Sequence, residues 1–278
     1  MDYTEFVNAR KSYLGASDAP VVMGVSPWRT PYQLWEDKLG VAPETKDNYA
    51  MKRGRELEPI AREAYQAFTG NIVEPKQLFH PKINFMMANL DGITEDHSVA
   101  VEIKCPGEKD HQLAKQGIVP EKYRPQLQHQ LEVIGIDSVH YFSYRDGDTA
   151  LVEMGRDESY IKRLCVEEKK FWKFVESLIP PPLSEKDYEK RHDMAWVSAA
   201  GEWVNVSTEL ETLKAKEAEY RELLIQLAEN QNTIGQGVKV QKIVRKGNID
   251  YTLIPELNGI DVEKYRKKSV QSWRLSRD

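Results

Sequence analysis

Apolar residues recur at helical spacing through residues 52–69, "KRGRELEPIAREAYQAFT", where Leu57, Ile60, Ala61, Ala64, Tyr65 and Phe68 form one stripe. Gly70 supplies a stop. Glu56 and Glu58 lie at opposite edges of the stripe, and periodicity does not say which of them faces a site. Two short apolar runs follow, "NFMMANLDG" and "SVAVEIKCP", separated by the turn-rich "ITEDH". Strand side chains alternate, so Glu102 and Lys104 share one face while Val101 and Ile103 share the other. "PEKYRPQLQHQLEVIGI" predicts a helix entered near Pro125. "DSVHYFSYRDGD" and "ALVEMG" predict a hairpin turning at Asp146-Gly147.

A long helix opened by Asp157 runs until Pro180, Pro181 and Pro182, which cannot continue it. That triple proline marks the expected boundary between a domain of residues 1–183 and a C-terminal part of residues 184–278. In the second part, Leu210, Leu213, Glu217, Tyr220, Leu224 and Leu227 recur at alternating three- and four-residue steps. This heptad seam is short, which favours a helical arm or hairpin over a long coiled coil. A small β-like tail follows. Strands mixed with helices over the first part predict an α/β (α+β) fold with a mixed central sheet flanked by helices.

Composition adds limits. The chain has 278 residues, 40% hydrophobic and 30% charged, enough for a sizeable core beneath a solvated surface. It contains no apolar run of membrane-spanning length, and "MDYTEFVNARKSYLG" lacks the apolar core of a signal peptide. Two cysteines, Cys105 and Cys165, make no disulfide framework, so a reduced, cytoplasmic protein is expected. The net charge of -5 hides an asymmetry. Residues 236–278 carry ten Lys and Arg against five Asp and Glu, so the first 235 residues carry -10.

The chemistry centres on "LDGITEDHSVAVEIKCP", residues 90–106. Phosphodiester hydrolysis needs a nucleophilic water and charge compensation on the phosphate, and carboxylates holding Mg2+ supply both. A neighbouring lysine can orient the water and stabilise developing charge. Asp91, Glu102 and Lys104 fit these needs, although the pattern alone reads first as a charged, half-exposed hairpin with an Asp-Gly turn. A second constellation is "LGASDAPVVMGVSPWRTPYQLW". Ser17 and Asp18 are placed to cap a helix from Ala19, with Pro20 in its first turn. Such a helix start favours phosphate, which Arg10, Ser17 and Arg29 would clamp.

Taken together these stretches resemble the phage lambda exonuclease and YqaJ-type viral recombinase nucleases, members of the PD-(D/E)XK superfamily. "GASDAP…GVSPWRTPYQLWEDKLG" is similar to their opening motif and "MKRGRELEPIARE" to their glutamate helix. "LDG…VEIKCP" is similar to their active-site hairpin and "YRPQLQHQLEV" to their glutamine helix. The four occur in the family's order over roughly residues 8–180. The resemblance implies a restriction-endonuclease-like core and a Mg2+-dependent DNA exonuclease, with Mn2+ able to substitute. Such an enzyme digests linear double-stranded DNA 5′→3′ and leaves 3′ overhangs for a single-strand annealing protein. It also implies a homo-oligomer, a trimer in the lambda enzyme, of phage or prophage origin in a bacterial host.

Position by position, it implies that Asp91 and Glu102 bind the metal with the backbone carbonyl of Ile103, and that Glu58 acts through the metal's water. Lys104 would position the attacking water, and Gln126 would hold that water or the scissile phosphate. Arg10, Ser17, Arg29 and Asn89 would bind the DNA or its 5′-phosphate; Asn89 stands where the lambda enzyme has a serine. With two cysteines the chain cannot build the four-cysteine iron–sulfur site of some related nucleases. His80 could approach the site or pack beside a strand. His111, His129 and Cys105 read as structural. The tail interleaves basic residues with Tyr251, Tyr265 and Trp273, which suits either a nucleic-acid surface or a small folded cap. Two other readings stay open: another PD-(D/E)XK endonuclease or repair nuclease, and a non-catalytic DNA-binding module.

Overall fold

The computed structural model describes residues 12–43 and 49–245, together with 247, 254 and 260. Arg10, Tyr251, Tyr265 and Trp273, named above, lie outside the described residues. The chain forms two units, Met1–Glu189 and Lys190–Asp278. The division falls several residues past the prolines, and the Thr30 hydroxyl donates to Asp187, tying that stretch to the first unit.

The first unit runs β1 (Leu14–Gly15), α1 (Ala19–Val22), α2 (Pro31–Leu39), α3 (Tyr49–Thr69), β2 (Glu74–Phe79), β3 (Met86–Ile93) and β4 (Ala100–Lys104). It continues with α4 (Glu108–Lys115), α5 (Arg124–Ile134), β5 (Ser138–Arg145), β6 (Asp148–Gly155) and α6 (Glu158–Ser177). The sheet is mixed, in the order β1-β3-β4-β5-β6, with β2 also on β3. β4 and β5 are parallel, and the chain between them crosses over through α4 and α5. β5 and β6 form the expected hairpin, with Asp146 (φ 48°) and Gly147 (φ 89°) both left-handed as a tight two-residue turn requires.

Alternation along β4 splits the core. Val101 and Ile103 pack with Ala61 and Tyr65 of α3 and with Phe142. On the other side Leu127 and Leu131 of α5 join Leu14, Met86 and Tyr141. Both faces of the sheet are therefore covered. The apolar stripe of α3 is narrower than its periodicity suggests. Ala61 and Tyr65 are fully buried, but Ile60 and Phe68 are exposed, because the helix meets the sheet along the 61/65 line.

The opening motif is largely architectural. Ser26 Oγ accepts from the Trp28 and Arg29 amides, and Thr30 caps α2 in a reciprocal box with Gln33. Pro31 starts the helix and Gly40 (φ 69°) ends it. Trp35 donates to the Phe174 carbonyl of α6, 2.9 Å away. α1 begins at Ala19 with Pro20 in its first turn, as expected, but Asp18 does not cap it. Its carboxylate is buried, takes the Gly15 amide at 3.0 Å and pairs with Lys38 of α2 at 2.6 Å. A buried lysine leaves the aspartate no freedom to turn back onto its own helix.

The second unit carries α7 (Met194–Leu227), then the hairpin β7 (Thr233–Gly235) and β8 (Val238–Val240). α7 is one helix of 34 residues, starting well before the heptad seam found in the sequence. No helix among the described residues is long and apolar enough to cross a membrane.

Gly92 makes a sharp test of the packing. A Cβ there would lie 2.7 Å from Val73 Cγ2 and 2.9 Å from Val101 Cγ1. Gly92→Ala is expected to lower the unfolding free energy by about 1–3 kcal/mol in urea titrations, and Val73→Ala is expected to restore part of the loss.

Candidate active site

The site sits in a fork of the sheet. Met87 pairs with β1 and β2, and Ile93 pairs with β2 and β4, so β1 and β4 share the edge of β3 opposite β2. The β3–β4 ladder covers only Gly92↔Val101 and Ile93↔Ala100. Beyond it the Asp91 carboxylate replaces a backbone carbonyl as acceptor, taking the Ile103 amide at 2.8 Å. On the β2 side the register slips, with Glu74 opposite Ile93 but Lys76 opposite Leu90. The additional residue of β3 falls at Asp91-Gly92, and a bulge of this kind re-aims a side chain. Asp91 thus stands at a bulge inside a strand that runs on to Ile93, not in an Asp-Gly turn. The turn lies in "TEDHS", where the Thr94 and Ser98 hydroxyls hold the Asp96 carboxylate down to about 2.

Glu102 points under α5 and is 1% exposed. Lys104, on the same face, forms an ion pair with its Oε1. Gln126 donates to the same oxygen and Gln130 to Oε2. Burying a lone carboxylate costs roughly several kcal/mol, and these charged and amide donors offset that cost. The Lys104 ammonium also lies 5.6 Å above the centre of the Tyr123 ring. A decorated, half-exposed hairpin would leave Glu102 in water, and its burial removes that reading.

The α3 helix turns Glu58 inward and leaves Glu56 exposed, which settles the choice that periodicity left open. Arg62, one turn on, donates to Glu58 at 2.5 Å and to the Asp91 carbonyl at 2.7 Å, so it ties the glutamate helix to the acidic strand. Burial, then the Glu102 charge and more weakly Glu58, push the Asp91 carboxyl up to about 8 against the pull of Lys104. Burial works to lower the Lys104 ammonium, but Glu102 and Asp91 outweigh it and hold the lysine above its ordinary value. The fork therefore concentrates more negative charge than its lysine balances.

No cluster of three or more His, Cys, Asp and Glu side chains set for a metal occurs among the described residues. Asp91 and Glu102 are hard oxygen donors beside the Ile103 backbone. Such a small set suits Mg2+, which keeps several waters. The surplus charge at Asp91 is what a cation would relieve.

Asn89 lies two residues before Asp91 on β3 and pairs with Gln77 of β2. Ser17 is exposed in the turn before α1. Arg29 is held by the helix that follows it, through the Gln33 carbonyl at 3.2 Å and Asp37 at 3.3 Å. His80 serves the β2–β3 turn, its Nδ1 accepting from the Lys82 and Ile83 amides. His111 is buried against Ser143 and Asp148. His129 bridges Glu168 at 2.7 Å and the Met87 carbonyl at 2.9 Å, behind the fork. Burial pushes the Cys105 thiol up to about 11, which leaves it unreactive. Sequence reasoning missed Gln130 and Arg62. Each stands four residues after a residue it did identify, on the same helical face, and that spacing was the available signal.

A forked mixed sheet, with Asp91 on one prong and the Glu102–Lys104 pair on the other, is the PD-(D/E)XK nuclease fold. The chain superposes with a TM-score of 0.56 on the alkaline exonuclease LHK-Exo from Laribacter hongkongensis. The two are 31% identical, over 63% of this chain and 94% of that one. The same enzyme in complex with dAMP gives the same values. Residues 5–137 match the YqaJ-like viral recombinase domain, and the chain belongs to that family. It is also 31% identical over 178 residues to the uncharacterized protein YqaJ of Bacillus subtilis (strain 168), covering 62% of this chain. The chain spans 56% of the length of that relative.

The raised Asp91 carboxyl has a consequence for stability. Between its unfolded value near 4 and about 8, the folded state holds a proton that the unfolded chain has lost. Stability from this group is therefore full below the unfolded value near 4 and falls steadily as pH rises toward 8. Asp91→Asn keeps an acceptor for the Ile103 amide and removes the charge. In chelator it is expected to raise Tm at pH 8.5 and to leave it nearly unchanged at pH 4.5, measured by thermal melts across that range.

Proposed function

We propose that the fork is the active site of a metal-dependent deoxyribonuclease that degrades linear duplex DNA from its ends, 5′→3′, leaving 3′ overhangs. The observation that carries this reading is the convergence of Asp91, Glu102 and Lys104 at the break in the β3–β4 ladder. The kinship with an enzyme named an alkaline exonuclease supports the choice of exonuclease. Asp91 and Glu102, with the Ile103 carbonyl, would hold Mg2+ or Mn2+, and Glu58 would contribute through water. Bound there, the cation would supply Lewis-acid polarisation and make a water easier to deprotonate near neutral pH.

Lys104 orients the attacking water and stabilises charge on the phosphate. Gln126 and Gln130 keep the Glu102 carboxylate in one orientation. Arg10, Ser17, Arg29 and Asn89 receive the DNA strand and its terminal phosphate. A 3′ overhang is the substrate of a single-strand annealing protein, the partner class this product suits. A ring-shaped homotrimer enclosing the intact strand would make digestion processive.

Two measurements test this. Duplexes labelled at one end, with and without a 5′-phosphate, should be shortened from the 5′ end in Mg2+. Lys104→Ala should slow digestion by about 10²-fold or more. Cleavage of closed circular duplex would favour an endonuclease, and intact linear duplex with no effect of Lys104→Ala would favour a binding module. Separately, millimolar Mg2+ or Mn2+ should raise the Tm of the parent chain at pH 8 and leave that of Asp91→Asn unmoved.

A further inference from the structure

The helix α7 exposes a longer seam than its sequence first shows. No residue along its 34 positions is buried. The three- and four-residue steps that join Leu210 to Leu227 continue backwards without a break through Val206, Trp203 and Ala199 to Trp196. Trp196 is 53% exposed and Val206 60%. The seam thus spans more than four heptads, or about 46 Å between Trp196 and Leu227 at 1.5 Å per residue. An apolar heptad face of this length on a fully solvated helix is built to be covered.

Charge and shape specify the cover. The half of α7 up to Glu211 carries Glu202, Glu209 and Glu211 and no lysine or arginine. The helix's basic residues, Lys214, Lys216 and Arg221, all lie in the other half and flank the seam, while its Glu219 and Glu222 lie on the outer face. In a parallel pair in register, Glu217 would meet its own copy in the seam. Trp203 would meet Trp203, and Lys216 would sit beside Arg221 of the second copy, with only Glu209 gaining a basic partner in Lys214. In an antiparallel pair centred between Glu211 and Thr212, Leu210 meets Leu213 and Trp203 meets Tyr220. Ala199 makes room for Leu224, and Trp196 covers Leu227. Glu209 then faces Lys216 of the second copy, and Glu202 lies across from Leu223. Glu217 lies opposite Val206 and keeps its Arg221 partner, 2.7 Å away, at the solvent edge. The Lys214 side chains flank the two-fold axis, also in solvent.

We propose that α7 is a self-association arm that pairs antiparallel with α7 of a second copy of this chain. The proposal does not depend on the activity assigned to the first unit.

Variants of the full chain with one added cysteine, in a background in which Cys105 and Cys165 are replaced by serine, test it. Trp196→Cys mixed with Leu227→Cys should form a disulfide-linked dimer on mild oxidation, seen on a non-reducing gel. Neither variant alone, nor the parent chain, should give that band. Leu210→Glu with Leu213→Glu, added to both partners, should abolish the cross-link. The same pair in the parent chain should lower the particle mass in sedimentation. Cross-linking of Trp196→Cys with itself would mean a parallel pair and overturn the proposal. Failure of the mixture to cross-link, or an unchanged mass for the double glutamate variant, would overturn it equally, leaving the seam to the chain's own tail or to another protein.

Discussion

The rest of the first unit is arranged around one buried carboxylate. Glu102 leaves water almost completely, and the ion pair to Lys104 with the amides of Gln126 and Gln130 makes that burial tolerable. The consequences reach outward. α5 must lie over β4 with its glutamines turned down. The parallel β4–β5 pairing, reached through α4 and α5, places it there. Behind it the buried His129–Glu168 contact and the His129 bond to Met87 anchor the same helix to β3 and α6. A helix pinned on both sides gives Glu102 one available orientation.

The second prong is held by a different device. Asp91 is not clasped by side-chain donors. It takes a backbone amide that the ending ladder leaves free, and a bulge at Asp91-Gly92 aims it. Gly92 is required because Val73 and Val101 close on it from both sides. The carboxylate's raised affinity for a proton and the surplus charge of the fork have the same physical origin. A buried acid and a half-buried one share one lysine, and the arrangement is relieved by a proton or by a cation.

Family motifs mix chemistry with carpentry. In "GVSPWRTPYQLWEDKLG" the serine, threonine, proline, glutamine and glycine build the ends of α2, the tryptophan locks it to α6, and the lysine buries a charge against Asp18. Arg29 is engaged with Gln33 and Asp37 of α2. A motif recurring in this family therefore reports a shared scaffold as much as a shared reaction.

Much of this was legible in the chain's own order of residues. Alternation put Glu102 and Lys104 on one face, Asp157 and Pro180 bounded the long helix, and Asp146-Gly147 marked a hairpin, because these follow from backbone geometry within a few residues. The apolar steps of α7 were likewise local, though their full extent needed the helix to be seen unbroken from Met194. Tertiary structure decided what local rules leave degenerate. It chose Glu58 over Glu56, exposed Ile60 and Phe68 on a stripe that looked uniformly apolar, drew Asp18 away from its cap, and turned a charged hairpin into a buried acid under a glutamine helix. Each of these depends on which surface a segment meets across the fold, and spacing along the chain carries no record of that surface.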